Sequence, residues 1–319
     1  MDEIKLIKKY FLKLTKNNHN ALKLNDDVFF DKKNKIVISV DTFNEDIHYI
    51  NFKKPQLIIK KIIRSSISDI ISKGVKPIYF FLSAGGNSKH FTNKNLKIIS
   101  KSLNEEQKKF NIKLSGGDTV ISKKSSFTII SLGFSKKIIK RNNAKINDDI
   151  YVTGNLGDSY IGLNVLKKKI KFNNKINNYF IYKYFLPNIP FKLHKYLNKF
   201  ANSSMDVSDG LFTDLQKLIN NQKLGFYIDF KKIPVSKYFS FYLKNNSKKT
   251  LKFISKGDDY QILFTASKKK RSYIHKLSKR INQKITLIGE ITNQSKKNFI
   301  VKNGRLINPL KYEGYSHKF

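Results

Sequence analysis

The 319-residue chain carries only 23 acidic residues against 63 Lys and Arg, so the places where acids stand are informative. Six aspartates sit beside small or turn-forming residues: Asp27 in NDD, Asp41 in SVDT, Asp69 in SISD, Asp118 in GGDT, and Asp206 and Asp209 in MDVSDG. Carboxylates among Ser, Thr and Gly, next to expected strand ends, suit a hard, oxygen-seeking cation such as Mg²⁺. Mg²⁺ keeps several waters and takes one or two carboxylates together with substrate phosphates, so the set points to nucleotide phosphate chemistry. Each residue alone also fits an ordinary role: Asp209 before Gly210 as a helix cap, Asp118 after two glycines as a turn former, Asp41 as a strand end. Their spacing does not say whether they meet in space.

Other chemistries fall away. The chain has no Cys, which excludes disulfides, thiolate zinc sites, iron–sulfur clusters and a Cys nucleophile. His19, His48, His90, His194, His275 and His317 show no HExxH spacing, and there is no GxSxG elbow, Walker A loop or kinase glycine loop. Any handling of ATP must therefore use other means.

The elements that must position these residues alternate between strand and helix. Residues 4–14 space Ile4, Ile7, Tyr10, Phe11 and Leu14 as one amphipathic helix. Ile36–Val40 reads as a buried strand ending at Asp41, 55–72 as a helix stopped by Gly74, and 78–83 as an apolar strand. A helix over 96–110 and strands over 112–114 and 127–134 complete the first half. The polar, basic run 135–149 suits a domain boundary, followed by a strand at 150–153 and a Gly-rich turn into a helix over 154–162. Residues 167–178 and 244–250 read as surface loops, 208–220 as a helix, and 261–265 and 286–291 as strands with a helix between. Two α/β domains meeting near residue 140 are expected.

The formal charge is +40. The excess is mostly Lys, spread along the whole chain with abundant Asn and Ile, which reads as compositional drift rather than a nucleic-acid patch. The N-terminus lacks the apolar core of a signal peptide and no apolar run approaches a membrane span. With the absence of Cys, a cytoplasmic location and no membrane partner are expected.

Seven strings occur in order: NDDVFF, SVDTFNEDIHY, SSISDIISKGVKP, SGGDT, DDIYVTGNLGDS, SMDVSDGLFTDL and GDDYQILFT. Together they resemble thiamine-monophosphate kinases over nearly the whole chain, to the final EGYSHKF. The resemblance implies an α/β fold of the α+β type, the two-domain aminoimidazole ribonucleotide synthetase-like fold. Residues 1–139 would bind ATP and metal and would pair their sheet with that of a second copy in a homodimer. Residues 140–319 would form the second α/β domain. It implies ATP-dependent phosphorylation of thiamine monophosphate to thiamine diphosphate, with several Mg²⁺ ions. By position, Asp27, Ser39, the Val40 backbone, Asp41, Asp69, Asp118, Asp206 and Asp209 match metal-binding residues. Gly117, Asp118, Arg141 and Ser208 match ATP contacts, and His48, Asp258 and Tyr312 match contacts to the thiamine phosphate.

The chain departs from the family pattern at Asn25, Val40, Asp258 and Gln261. No general base is assigned, because a phosphate monoester is already ionised near neutral pH, its second pKa being near ~6. The alternatives are another ATP-using enzyme of the same superfamily and a basic nucleic-acid-binding protein on this fold. Selenophosphate synthetase, one such relative, normally needs a Cys or selenocysteine that is missing here.

Overall fold

The computed structural model describes residues 3–244, 249–293, 298–312 and 314–317. Of the segments read from sequence, the middle of the 244–250 loop and parts of the final EGYSHKF lie outside the described residues. The chain begins with a helical turn, α1 (Glu3–Leu6), continued by a π-turn and a 3₁₀ turn to Thr15. Residues 4–14 are thus helical but not one regular helix with a buried face. Tyr10, Phe11 and Leu14 stay exposed.

The first sheet follows. Strands β1 (Phe29–Asp31), β2 (Ile36–Asn44), β3 (Pro77–Gly86), β4 (Lys113–Ile121) and β5 (Ser126–Phe134) form it in the order β1-β2-β5-β3-β4. Two helices cross it, α2 (Pro55–Ser72) and α3 (Asn93–Phe110). Two strands run longer than expected. β2 pairs with β5 along all of its length, so Asp41 sits mid-strand opposite Ile129 rather than at a strand end. β4 continues through the GGDT string because it pairs in parallel with β3, past a register shift between Phe80 and Leu82.

The second sheet has seven strands in the order β12-β11-β8-β10-β6-β9-β7. They are β6 (Asp149–Thr153), β7 (Ala201–Asp206), β8 (Leu224–Asp229), β9 (Ile262–Ala266), β10 (Ile285–Asn293), β11 (Phe299–Lys302) and β12 (Arg305–Ile307). Helices α4 (Asp158–Leu166), α5 (Asn174–Phe185), α6 (Leu211–Leu218), α7 (Lys237–Lys244), α8 (Thr250–Ile254) and α9 (Arg271–Arg280) pack around it. The expected 167–178 loop ends early, because the Asn173 side chain accepts from Ile176 N–H and starts α5. The helix expected from Ser208 starts only after Gly210. The Asp214 carboxylate accepts both the Asp209 and Gly210 N–H groups and fixes a turn there.

Helix α2 joins the two halves. Its apolar residues cover nearly the whole circumference: Ile58, Ile59, Ile62, Ile63, Ile67, Ile70 and Ile71 are all buried. One side packs on β2 and β5, the other on β7, β9 and α5. A helix that is apolar all round must be buried all round, and one core cluster runs from Phe43 and Phe127 in the first sheet to Phe264 in the second.

Candidate active site

A cleft of about 640 Å³ opens where α2 runs between the sheets. Three carboxylates from separate elements meet in its wall: Asp27 ahead of β1, Asp69 on α2 and Asp206 at the end of β7, with ligand oxygens all within 4.8 Å of one another. Asp41 lines the same wall from β2. The Asp69 carboxylate accepts a 2.5 Å hydrogen bond from Ser39, and Asp206 accepts one of 2.6 Å from Ser68. Asp41 Oδ2 and Asp206 Oδ1 are buried and have no hydrogen-bond partner among the described residues. Buried acceptors left unpaired are costly.

The electrostatics follow from that crowding. Burial pushes Asp41 up to about 6 against the pull of the Ser66 hydroxyl. Burial does the same to Asp206, where Ser68 opposes the shift and the Asp41 charge adds to it. Asp69 lies well above the usual carboxylate range through burial and then the charges of Asp41 and Asp206. Buried like charges raise one another's pKa because neither ionises freely beside the other.

Two cations hold the near side of this group. Arg141 reaches Asp27 with Nε and with a terminal nitrogen. Lys73, fully buried at the end of α2, places its ammonium 2.5 Å from Asp27 and 2.7 Å from Asp26. Lys217 pairs with Asp209.

The far side of the cleft is aromatic. The Asp258 carboxylate lies 2.5 Å from Lys61 Nζ, a buried ammonium that also sits 3.5 Å over the Tyr184 ring. His48 Nδ1 accepts the Asn44 N–H at 2.9 Å, and the ring contacts Phe43 and His317. Burial, then the neighbouring His317, lower the His48 pKa and favour the neutral ring. Tyr160, Tyr260 and Tyr315 also border this side.

The two C-terminal motif strings meet here backbone to backbone. Asp258 N–H donates to Ser208 C=O at 2.8 Å and Tyr260 N–H to Val207 C=O at 2.9 Å. Gly257 is required at the junction: its φ is +70°, and a Cβ there would fall 2.1 Å from the Ser208 oxygen.

The cleft thus gathers Asp27, Val40, Asp41, Asp69, Arg141, Asp206, Ser208, Asp209, His48 and Asp258. Ser39 stands behind it on Asp69. Gly117 and Asp118 do not line it; they lie on the exposed edge strand β4. Asp118 shares a register row with Ser83, Thr128 and Thr42, which puts it three strand spacings, about 14 Å, from β2. Tyr312 packs against the core of the second half, and Tyr315 is the tail aromatic in the cleft. Lys61 and Lys73 were not read from sequence. Their signal is faint: each is one Lys among many, marked only by its place on the apolar helix α2 and at its end.

Residues 24–134 match the family model described as AIR synthase related protein, N-terminal domain. The thiamine-monophosphate kinase of Buchnera aphidicola subsp. Schizaphis graminum is 34% identical over 325 aligned positions, covering 99% of this chain and 98% of that one. The thiamine-monophosphate kinase of Buchnera aphidicola subsp. Acyrthosiphon pisum is 36% identical over 299 positions, covering 91% of both. The chain belongs to the thiamine-monophosphate kinase family. Among solved structures, AaThiL complexed with AMPPCP and TMP superposes with a TM-score of 0.84 at 23% identity, over 99% of this chain and 97% of that one. E. coli HypE, a hydrogenase maturation protein, shares the fold with a TM-score of 0.68 at 14% identity, over 86% of this chain and 84% of that one. The fold of this kinase family is thus shared with other proteins.

Proposed function

We propose that this chain transfers the terminal phosphoryl group of ATP to the phosphate of thiamine monophosphate, giving thiamine diphosphate. The observation that carries the reading is the convergence of Asp27, Asp69 and Asp206 in one cleft of a chain that aligns end to end with that kinase family. A structural neighbour crystallised with an ATP analogue and TMP supports the same substrate pair.

The residues fit Mg²⁺. The crowded carboxylates, two of them with a buried oxygen that has no partner among the described residues, form an oxygen-only donor set suited to a hard cation. We assign Asp27, Asp41, Asp69 and Asp206 as its holders, with Ser39, the Val40 backbone, Asp118 and Asp209 completing the set. Bound Mg²⁺ would neutralise the phosphates that repel one another in the transfer. Arg141, Ser208, Gly117 and Asp118 are assigned to ATP, and His48 and Asp258 to thiamine monophosphate, whereas Tyr312 packs on the second core outside the cleft. His48, held neutral by burial, orients the acceptor. No base is required, because the acceptor oxygen is already ionised.

Because Gly117 and Asp118 stand outside their own cleft, their roles require a second copy. The first sheet supports a homodimer: Val40, Tyr79, Leu114, Val120, Ile121 and Phe134 are all exposed on it. A sheet left so apolar calls for a partner. We assign residues 1–139 and 140–319 as the two domains. Among the described residues no helix is long and apolar enough to cross a membrane.

The test is ADP release by the purified protein with and without thiamine monophosphate. Turnover that depends on thiamine monophosphate is expected. ATP hydrolysis indifferent to it would overturn the reading.

A further inference from the structure

Lys73 has surroundings unlike those of a surface lysine. It is 0% exposed, and its ion-pair partners among the described residues are Asp26 and Asp27, at the edge of the carboxylate wall. Its ammonium bonds Asp27 at 2.5 Å, Asp26 at 2.7 Å and the Ser204 carbonyl at 3.0 Å. These three partners come from the segment ahead of β1 and from β7, whereas Lys73 itself ends α2. Asp27 is also one of the three converging carboxylates. Asp26 is tied down further by the Arg141 N–H at 2.9 Å. Burying an ammonium is costly unless it is paired and fully hydrogen-bonded. Here the ammonium donates hydrogen bonds to Asp27 and to the Ser204 carbonyl and is ion-paired with Asp26 as well, so the site is built for it.

We propose that Lys73 is an internal counter-cation of the acidic cluster, a positioning residue that holds Asp27 in place and supplies part of the positive charge a bound divalent ion would otherwise provide. This rests on the reading of the cleft as a divalent-cation site. Two consequences follow. The cluster stays folded without metal, because Lys73, beside Arg141, already neutralises part of its charge. The same charge repels an incoming divalent ion through Asp27, so metal affinity is lower than the carboxylates alone would give.

The experiment uses the full chain, its Lys73→Met and Lys73→Arg variants, and Mg²⁺ alone as the probe. Met keeps most of the buried stem and removes the charge, whereas Arg keeps the charge. Thermal melting is recorded in EDTA and in excess Mg²⁺, and Mg²⁺ binding is measured by calorimetry. Lys73→Met is expected to melt well below wild type in EDTA, to recover most of the loss in Mg²⁺, and to bind Mg²⁺ about tenfold or more tightly. Lys73→Arg is expected to bind Mg²⁺ like wild type. Equal destabilisation of Lys73→Met with and without Mg²⁺, failure of that variant to fold even in Mg²⁺, or unchanged affinity would each overturn the proposal. If wild type itself binds no Mg²⁺, the reading of the cleft fails. If wild type binds it and Lys73→Met binds no tighter, only the role of Lys73 fails.

Discussion

The two ends of the cleft are built from the same helix by opposite means. Toward its C-terminal end α2 contributes Asp69, and Lys73 follows at once; there the acids outnumber the cations and two buried oxygens find no donor. Toward its middle α2 contributes Lys61, which pairs with Asp258 and sits over an aromatic ring. The first end has an unmet demand for positive charge. The second is electrically closed and offers aromatic faces and a neutral imidazole. In the proposed reaction the first end would face the phosphates, whose charge must be neutralised, and the second the organic part of the acceptor.

Substitution at the carboxylate wall should have the largest effect. Asp41→Asn or Asp206→Asn is expected to cut kcat about 10²-fold or more, equivalent to several kcal/mol of transition-state stabilisation, as read from steady-state ADP release. Rates near wild type in both would dissolve the distinction between the two ends. Asp118→Asn sharpens it. Asp118 is remote from its own cleft, so a loss of about tenfold or more is expected only in the dimer. Light scattering on the same samples reports the assembly, and a fully active Asp118→Asn dimer would remove that residue from the site.

At the aromatic end, Lys61→Met leaves Asp258 partly buried without its partner. Its effect should fall on the KM for thiamine monophosphate, raised by about tenfold, with the KM for ATP nearly unchanged. Equal changes in both would mean that the two ends do not act separately.

The ends should also answer pH with opposite signs. Burial raises Asp41 and Asp206 to about 6, above the usual 3.8 of a solvated aspartate, so the folded state binds protons more tightly than the unfolded one. Metal-free protein therefore loses stability as pH rises from about 4 through 6, each group contributing on the order of 2–3 kcal/mol. His48 is shifted down, so its contribution falls as pH drops below 6.5. Melting curves in EDTA from pH 7.5 to 5.5 should show wild type gaining from the acid wall and Asp41→Asn gaining less. Excess Mg²⁺ should flatten the dependence. A wild type that loses stability steadily toward pH 5.5 would reverse the assignment.

The smallest effect is expected at Tyr312. Packed on the second core, it should cost about 1–3 kcal/mol of stability as Tyr312→Ala and move both KM values alike. A rise confined to thiamine monophosphate would instead bring Tyr312 into the aromatic end.

Local patterns in the sequence marked most of the elements. The β-branched run at 36–40, the all-round apolar 55–72 stretch and the stop at Gly74 all correspond to structure, because each depends on neighbours a few residues apart. The strands β1, β7, β8, β11 and β12 carry no such mark, since they are short or half polar and owe their form to pairing with other strands. The family strings singled out a set of aspartates. Their types and spacing could not say that Asp27, Asp69 and Asp206 share a wall while Asp118 stands three strands away, because that depends on strand order and register. Nor could they separate Lys61 and Lys73 from the other lysines. A side chain's charge is written in the sequence, but its burial and its partners are set only when distant segments pack together, and here that packing turns two ordinary lysines into buried counter-ions.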